Sequence, residues 1–200
     1  LRNTSVGGNL SFVGKNFNPS ILGYTSCMGL TSNDFNKDGK IDLAITFPFA
    51  NKMKILKNAS LIDSIHFIPE TVIYTTDTFV RELQSGDLNG DGNPEIITYS
   101  ASDKKVSIFA NIGIGSQFAF NDTFTYKAHQ NINDLRLYNV DGDSLTDLAL
   151  YTADSIIFLK NTTTTGNYSF TYFGSKYVNG SSRFDMADID SDHKVDLLVT

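Results

Sequence analysis

Short apolar runs separated by polar turns recur along the whole chain. Four of these runs directly follow an acidic stretch and occupy residues 41–47, 94–100, 146–152 and 195–200. Their alternation and β-branched content predict strands, and no segment shows the periodicity of a helix. After each of the first three comes a second apolar run, which ends at Asn58, Asn111 or Asn161. An aromatic-rich run and the approach to the next acidic stretch complete a predicted unit of four strands.

This unit is an internal repeat. The acidic stretches begin at Asp34, Asp87, Asn139 and Asp188, at intervals of 53, 52 and 49 residues. Four short strands in about 50 residues are typical of a β-propeller blade. Residues 1–13 align with 159–171, so we expect the chain to begin at the end of a third strand and to stop after a second strand.

The predicted architecture is therefore all-β, a single β-propeller region over residues 1–200. It contains about four blades' worth of chain, as three whole blades and a half-blade at each terminus. A ring of seven blades needs roughly 350 residues at this period. We therefore favour a fragment of a larger ring, of about seven blades, over a closed ring of four.

Oxygen-bearing side chains occupy positions 1, 3, 5 and 9 of every acidic stretch. Such side chains converge on one point when a short loop curls, and Gly at position 6 permits the sharp turn. Calcium, which takes roughly six to eight oxygen ligands, is held in this way, with the backbone carbonyl of position 7 as a further ligand. The predicted ligands lie in loop 1 (34–42), loop 2 (87–95), loop 3 (139–147) and loop 4 (188–196). They are Asp34, Asn36, Asp38, Lys40, Asp42, Asp87, Asn89, Asp91, Asn93, Glu95, Asn139, Asp141, Asp143, Leu145, Asp147, Asp188, Asp190, Asp192, Lys194 and Asp196.

An EF-hand and an ordinary tight turn are the two alternatives to a calcium loop of this kind. An EF-hand requires Glu at position 12 and flanking helices, whereas position 12 here is Ile45, Thr98, Leu150 or Val199, inside a predicted strand. Ordinary turn chemistry also favours Asp, Asn and Gly. Four copies in one frame, each with an acid at position 9, favour calcium instead.

Charge supports the same interpretation. Thirteen of the 22 acidic residues lie in these loops and would repel one another without a cation. We expect about four Ca²⁺, one per loop. Loop 3 is expected to be the weakest site, because Ser144 replaces the Gly of position 6 and Asn139 replaces the Asp of position 1.

Composition excludes several other classes. A net charge of −6 without a basic cluster argues against nucleic acid or an anionic membrane as partner. No apolar run has the length of a membrane span, so no membrane insertion is expected. Cys27 is the only cysteine, which rules out an intrachain disulfide. The chain has no initiator Met and no signal peptide, and we expect it to be an internal piece of a longer protein.

No catalytic motif is present. His66, His129 and His193 occupy different positions in the repeat, and the sequence contains no nucleophile elbow, zinc-protease motif or phosphate-binding loop. The carboxylates that a glycosidase would need all belong to the acidic loops. We therefore expect the chain itself not to be an enzyme.

The motif D-x-N-x-D-G-x-x-D/E followed by an apolar strand resembles the FG-GAP and VCBS repeat family, whose repeats also form the head of integrin α chains. The resemblance covers essentially the whole chain and is closer to the bacterial VCBS-like variant. It implies a β-propeller with calcium in the loop between the first and second strands of each blade. It also implies an extracellular or cell-surface module that serves adhesion or binding of a protein or glycan ligand. The alternative is the propeller part of a secreted enzyme, such as a polysaccharide lyase or quinoprotein, whose active site lies elsewhere.

Family propellers typically engage ligands on the face opposite the calcium loops. Tyrosines recur in the segments expected there, and Tyr supplies large, stiff contact area with a polar tip. The predicted ligand-binding rim consists of Tyr24, Tyr74, Tyr99, Tyr126, Tyr151 and Tyr177. Packing of these rings between blades is the alternative.

Overall fold

A computed structural model describes residues 2–14, 23–24, 26–164, 166–178 and 183–200. This part of the chain is built from short β-strands, with a 3₁₀ turn at Pro48–Ala50. The strands are β1 (Arg2–Asn3), β2 (Phe12–Val13), β3 (Leu30–Asn33), β4 (Asp42–Phe47), β5 (Lys52–Asn58), β6 (Phe67–Thr75), β7 (Glu82–Gly86), β8 (Glu95–Ser100), β9 (Lys105–Asn111), β10 (Phe120–Lys127), β11 (Asp134–Tyr138), β12 (Asp147–Tyr151), β13 (Ser155–Asn161), β14 (Phe170–Tyr177), β15 (Phe184–Ala187) and β16 (Asp196–Val199). None of the described helical turns is long and apolar enough to cross a membrane.

The strands form antiparallel meanders in chain order. Sheet 1 contains β3 to β6, sheet 2 contains β7 to β10 and sheet 3 contains β11 to β14. The pairs β1–β2 and β15–β16 form two-stranded sheets near the two termini. The prediction of an all-β chain with three four-stranded units and a partial unit at each end is confirmed. The closure of such units into a ring stays a prediction.

The second strand of each unit lies deepest. All six residues of β8 and all five of β12 are buried, although β8 includes the polar Thr98 and Ser100. A central strand covered on both faces reads as a continuous apolar run, which explains why IITYS and LALY lack strict alternation. The fourth strands, such as β10, alternate exposed and partly buried residues because one face meets solvent.

Neighbouring sheets pack face to face in chain order. One apolar cluster joins sheet 1 to sheet 2 through Met53, Ile55, Ile96 and Phe109. A second cluster joins sheet 2 to sheet 3, and a third joins sheet 3 to the β15–β16 pair. The first strands also contact one another, since Thr31 Oγ1 of β3 lies 2.9 Å from Ser85 Oγ of β7. Successive sheets are therefore stacked with their first strands adjacent.

The meander fixes two opposite edges of every sheet. The acidic loops join the first strand to the second, and they share one edge with the connections between third and fourth strands. The other edge carries the connections between second and third strands and the segments that lead to the next sheet. We call these the loop edge and the opposite edge.

Candidate metal centre

Each acidic loop is closed by the same strand register. The ninth-position acid is the first residue of the second strand and pairs with the residue that precedes the loop. The four pairs are Asn33 with Asp42, Gly86 with Glu95, Tyr138 with Asp147 and Ala187 with Asp196. The strand that follows each loop therefore fixes the position of its last acid.

The loop backbone reverses through left-handed residues. Position 4 is left-handed in all four loops, with φ of 55° at Lys37, 77° at Gly90, 79° at Gly142 and 64° at Ser191. Position 6 is left-handed in three loops, with φ of 83° at Gly39, 76° at Gly92 and 67° at His193. His193 adopts this conformation despite the steric cost of its Cβ. Ser144, at position 6 of loop 3, is not among the left-handed residues of the described chain.

The reversal gathers the side-chain oxygens inside the loop. In loop 1, Asp34 Oδ2 accepts the amide of Gly39 at 2.8 Å, and Asn36 Oδ1 accepts that of Asp38 at 3.1 Å. The first acids of loops 2 and 4 accept the equivalent amides, from Gly92 at 2.7 Å and from His193 at 2.9 Å. In loop 4, carboxylate oxygens of Asp188, Asp190 and Asp196 lie within 4.8 Å of one another. Such a set of hard oxygen donors suits a hard cation.

The amide of position 7 supports the fifth-position acid in every loop. Lys40, Asn93, Leu145 and Lys194 donate to the carboxylate two residues before them, at 3.0, 2.6, 2.7 and 2.8 Å. The side chain of position 7 takes no part in these bonds, so its identity is free to vary. A role for its carbonyl as a metal ligand stays a prediction.

Two of the ninth-position acids are buried with one oxygen unsatisfied. Asp42 and Glu95 are both 0% exposed. Asp42 Oδ1 accepts the amide of Asn58 at 2.8 Å, and Glu95 Oε2 accepts that of Leu88 at 2.8 Å. The second oxygens, Asp42 Oδ2 and Glu95 Oε1, have no hydrogen bond of normal geometry among the described residues, although the nearby Tyr168 side chain interacts with the Glu95 carboxyl. A buried acceptor without a partner is costly and calls for a physical cause.

Burial also changes the acidity of these groups. Loss of hydration raises the pKa of Asp42 from 3.8 to about 6, with the nearby charge of Asp38 adding to the increase. The same loss of hydration raises the pKa of Glu95 from 4.5 to about 7. Without a cation, each carboxyl is therefore costly to keep ionised. A divalent cation bound to the free oxygen would remove this cost.

Loop 3 differs from the other three. Lys160 Nζ contacts Asp141 Oδ2 and lies 3.2 Å from Asp143 Oδ2. Both oxygens of Asp147 are already engaged, because they accept the amides of Val140 at 2.8 Å and Asn161 at 2.7 Å. One ammonium group thus pairs with two acids of this loop, whereas Lys57 and Lys194 each approach a single acid, in loops 1 and 4.

Sequence reasoning missed the role of the Asn residues that end the third strands. Asn111 Nδ2 donates to the carbonyl of Phe35 in loop 1 at 2.8 Å and to that of Pro94 in loop 2 at 3.3 Å. Asn161 Nδ2 makes the equivalent bonds to Leu88 in loop 2 at 2.8 Å and to Thr146 in loop 3 at 2.9 Å. Each Asn therefore ties the loop of one sheet to the loop of the next. The recurrence of Asn at the end of every third strand was the feature of the sequence that pointed to this role.

Position 2 of the loops was also overlooked. Phe35 is 1% exposed and lies in the cluster between sheets 1 and 2, in contact with Phe120 of sheet 2 at 5.7 Å between ring centroids. Leu88 is 0% exposed and lies in the cluster between sheets 2 and 3. An apolar residue at position 2 of every loop was the signal. In loops 1 and 2 this residue anchors the acidic loop to the following sheet, whereas Ile189 of loop 4 is exposed.

The predicted tyrosine rim needs correction at two positions. Tyr99 and Tyr151 are 7% and 5% exposed and belong to the clusters between sheets. The hydroxyl of Tyr99 donates to the carbonyl of Asn133, directly before β11 of the next sheet, at 2.9 Å. These two rings join neighbouring sheets and do not present the expected contact area to a ligand.

The other four tyrosines vary in exposure. Tyr74 is half-buried against the cluster between sheets 1 and 2, and Tyr126 against the cluster between sheets 2 and 3. Tyr24 packs on Phe47 with ring centroids 4.7 Å apart. Tyr177 is 64% exposed. A ligand-binding role for these four stays a prediction.

Comparison with known families confirms the resemblance for part of the chain. Residues 34–98 match the family model of the FG-GAP-like repeat. This segment runs from loop 1 through sheet 1 and loop 2 into β8, and it is similar to the FG-GAP-like repeat. Repeats of this kind are typical of integrin-like β-propeller modules, which are generally non-catalytic. A search of curated proteins found no protein that matches the chain.

Proposed function

We propose that the chain is a calcium-binding repeat module in which loops 1, 2 and 4 each hold one Ca²⁺. The side-chain ligands would come from positions 1, 3, 5 and 9 of each loop. In loop 2, for example, these are Asp87, Asn89, Asp91 and Glu95, with the carbonyl of Asn93 as a further ligand. Bound calcium would supply positive charge to a cluster of acids that otherwise repel one another.

The observation that carries this proposal is the pair of buried, unpartnered oxygens Asp42 Oδ2 and Glu95 Oε1. They occupy the same position in two repeats and belong to carboxyls that burial makes harder to ionise. An accidental defect would not be expected at the same place in two copies. A cation ligated by these oxygens satisfies both the acceptor and the charge.

Isothermal titration calorimetry with Ca²⁺ tests the proposal through the buried acids. We expect the unmodified chain to bind three equivalents, and Asp42→Asn and Glu95→Gln each to bind one fewer. The exposed Asp122, on β10 outside the loops, provides a matched control, and Asp122→Asn should keep the full stoichiometry. Absence of calcium binding by the unmodified chain, or equal stoichiometry in all variants, would contradict the proposal.

We further propose that the module binds a protein or glycan ligand outside the cell. Loops of this kind serve modules that work at the millimolar calcium of the extracellular space. If the protein is exposed there, protease added to intact cells should digest it. Recovery of the protein only in the cytosolic fraction would contradict this placement.

The opposite edge offers features that suit a ligand. Phe49 is 72% exposed and meets Phe79 edge to face, with ring centroids 5.2 Å apart. The guanidinium of Arg81 lies 4.7 Å from the centroid of the Phe79 ring. Phe79 itself is held in a left-handed conformation with φ of 55°, which is strained for an aromatic residue and is often found at binding sites. An adjoining cavity of about 370 Å³ is lined by Arg81, Glu82 and Asn133.

A further inference from the structure

We infer that loop 3 is closed by the ammonium group of Lys160 in the place where the other loops bind calcium. This inference rests on the proposed calcium sites in loops 1, 2 and 4. It assigns Lys160 a role as an internal cation, and it makes loop 3 a calcium-independent member of the series.

The contacts of Lys160 carry the inference. Its Nζ touches Asp141 and lies 3.2 Å from Asp143, the acids of positions 3 and 5. Lys160 lies near the end of β13, directly before Asn161. The side chain of Asn161 donates to the carbonyl of Thr146 and so anchors this end of the strand to loop 3. The lysine is therefore held beside the loop by the register of β13, and its ammonium pairs with two of the three carboxylates there.

The residue that precedes the final Asn of the third strand differs among loops 1, 2 and 3. Loop 2 has Ala110 there, which is 4% exposed and borders a cavity of about 370 Å³ that Asn89 and Asp91 also line. Loop 1 has Lys57, but in the described part of the chain its Nζ approaches a single carboxylate, that of Asp38 at 3.7 Å. Formal charge does not distinguish the three loops, because each contains three carboxylates and one Asn among positions 1, 3, 5 and 9. The three loops are distinguished by the position of the lysine side chain relative to their acids.

Other features of loop 3 also differ from those of the proposed calcium loops. Asp147 has both oxygens occupied by backbone amides, whereas Asp42 and Glu95 each keep one free. The backbone at Ser144 lacks the left-handed turn of position 6, and the side chain of Asn139 donates its amide to the carbonyl of Asp143.

The number of bound Ca²⁺, measured by calorimetry, tests the inference with one variant that should gain a site and another that should lose one. We expect Lys160→Ala to raise the number of bound Ca²⁺ from three to four, and Lys160→Arg, which keeps a cation, to leave it at three. The added site should disappear in the double variant Lys160→Ala, Asp143→Asn. Conversely, Ala110→Lys should place an ammonium beside loop 2 and reduce the number from three to two.

Lys57→Ala is the matched control for net charge, because it removes one lysine from the same strand position of sheet 1. It should keep three equivalents. If the unmodified chain binds four Ca²⁺, or if Lys160→Ala still binds three, the inference is wrong while the proposed function stands. If the unmodified chain binds none, the proposed function itself fails.

Hydrogen exchange provides a second measurement that does not depend on counting ions. Removal of calcium from the unmodified chain should speed exchange of the Gly39 and Gly92 amides, which bond to the first acids of loops 1 and 2. The amide of Leu145, bonded to Asp143 in loop 3, should exchange at the same rate with and without calcium. Calcium-dependent protection of Leu145 comparable with that of Gly92 would overturn the inference.

Discussion

Saturating calcium is expected to raise the melting temperature of the protein by on the order of 20 °C relative to excess EDTA. A ligand that binds only the folded state at 100 times its dissociation constant contributes about 2.7 kcal/mol per site, so three sites contribute roughly 8 kcal/mol. In a chain of this length, each kcal/mol corresponds to about 2–4 °C. Thermal unfolding followed by far-ultraviolet circular dichroism measures the shift. Equal melting temperatures in millimolar calcium and in EDTA would rule out the proposed sites.

The pH dependence of this shift provides its internal control. Burial raises the pKa of Glu95 from 4.5 to about 7 and that of Asp42 from 3.8 to about 6. In the calcium-free protein, the folded state therefore binds these protons more tightly than the unfolded state. The resulting stability is fully present below about pH 4 and is lost as the pH rises through about 6 to 7.

Calcium reverses this trend, because it binds the ionised carboxyls. The stabilisation by calcium should therefore grow from pH 5 to pH 7.5, and Glu95→Gln should reduce that growth. Magnesium is the matched ion control. It prefers a smaller, octahedral site and retains its water more firmly, so we expect a smaller shift at equal concentration.

The strands and the loops were predictable because their signals are local. The second strands β4, β8 and β12 are largely buried runs of five or six residues, bounded by turn residues. The predicted and observed limits of the second strands differ by at most one position, as for 94–100 and Glu95–Ser100. The loop acids are spaced two residues apart, so their convergence depends only on one curled segment. The expectation that loop 3 is the weakest calcium site rests on Ser144 and Asn139 and stays a prediction.

Features that depend on contacts between sheets were not predictable from one repeat. Tyr99 and Tyr151 occupy strand ends, where a sequence pattern does not distinguish a ring exposed to a ligand from a ring covered by the next sheet. The structure shows them covered. Lys160 lies 13 residues after loop 3 ends at Asp147, and its contact with Asp141 depends on the register of β12 against β13. The same applies to Asn111, whose partner Phe35 lies one sheet away.

The asparagines that end the third strands are expected to be among the most sensitive positions of the fold. Asn161→Ala should lower the free energy of unfolding by about 2–4 kcal/mol. The side chain is 1% exposed, and its loss leaves the carbonyls of Leu88 and Thr146 without their donor. Each buried acceptor left unpaired costs about 1–3 kcal/mol. Asn111→Ala should behave in the same way, through Phe35 and Pro94.

Urea denaturation in the presence of EDTA measures this effect without a contribution from calcium. The exposed Asn121, on β10, is the matched control, and Asn121→Ala should change the free energy of unfolding by less than about 0.5 kcal/mol. Unchanged stability in both Asn111→Ala and Asn161→Ala would show that the sheets are held together by their apolar clusters alone.

The same two substitutions should also weaken calcium binding in the preceding loop. Phe35 stands between the ligands Asp34 and Asn36, so loss of the bond from Asn111 frees the backbone that positions both. Asn111→Ala should therefore reduce affinity at loop 1, and Asn161→Ala should reduce it at loop 2, where Leu88 stands between two ligands in the same way. Calorimetric titration at a temperature where both variants remain folded measures the affinities. Equal affinity in the variants and the unmodified chain would mean that each loop holds its ligands in place without help from the neighbouring sheet.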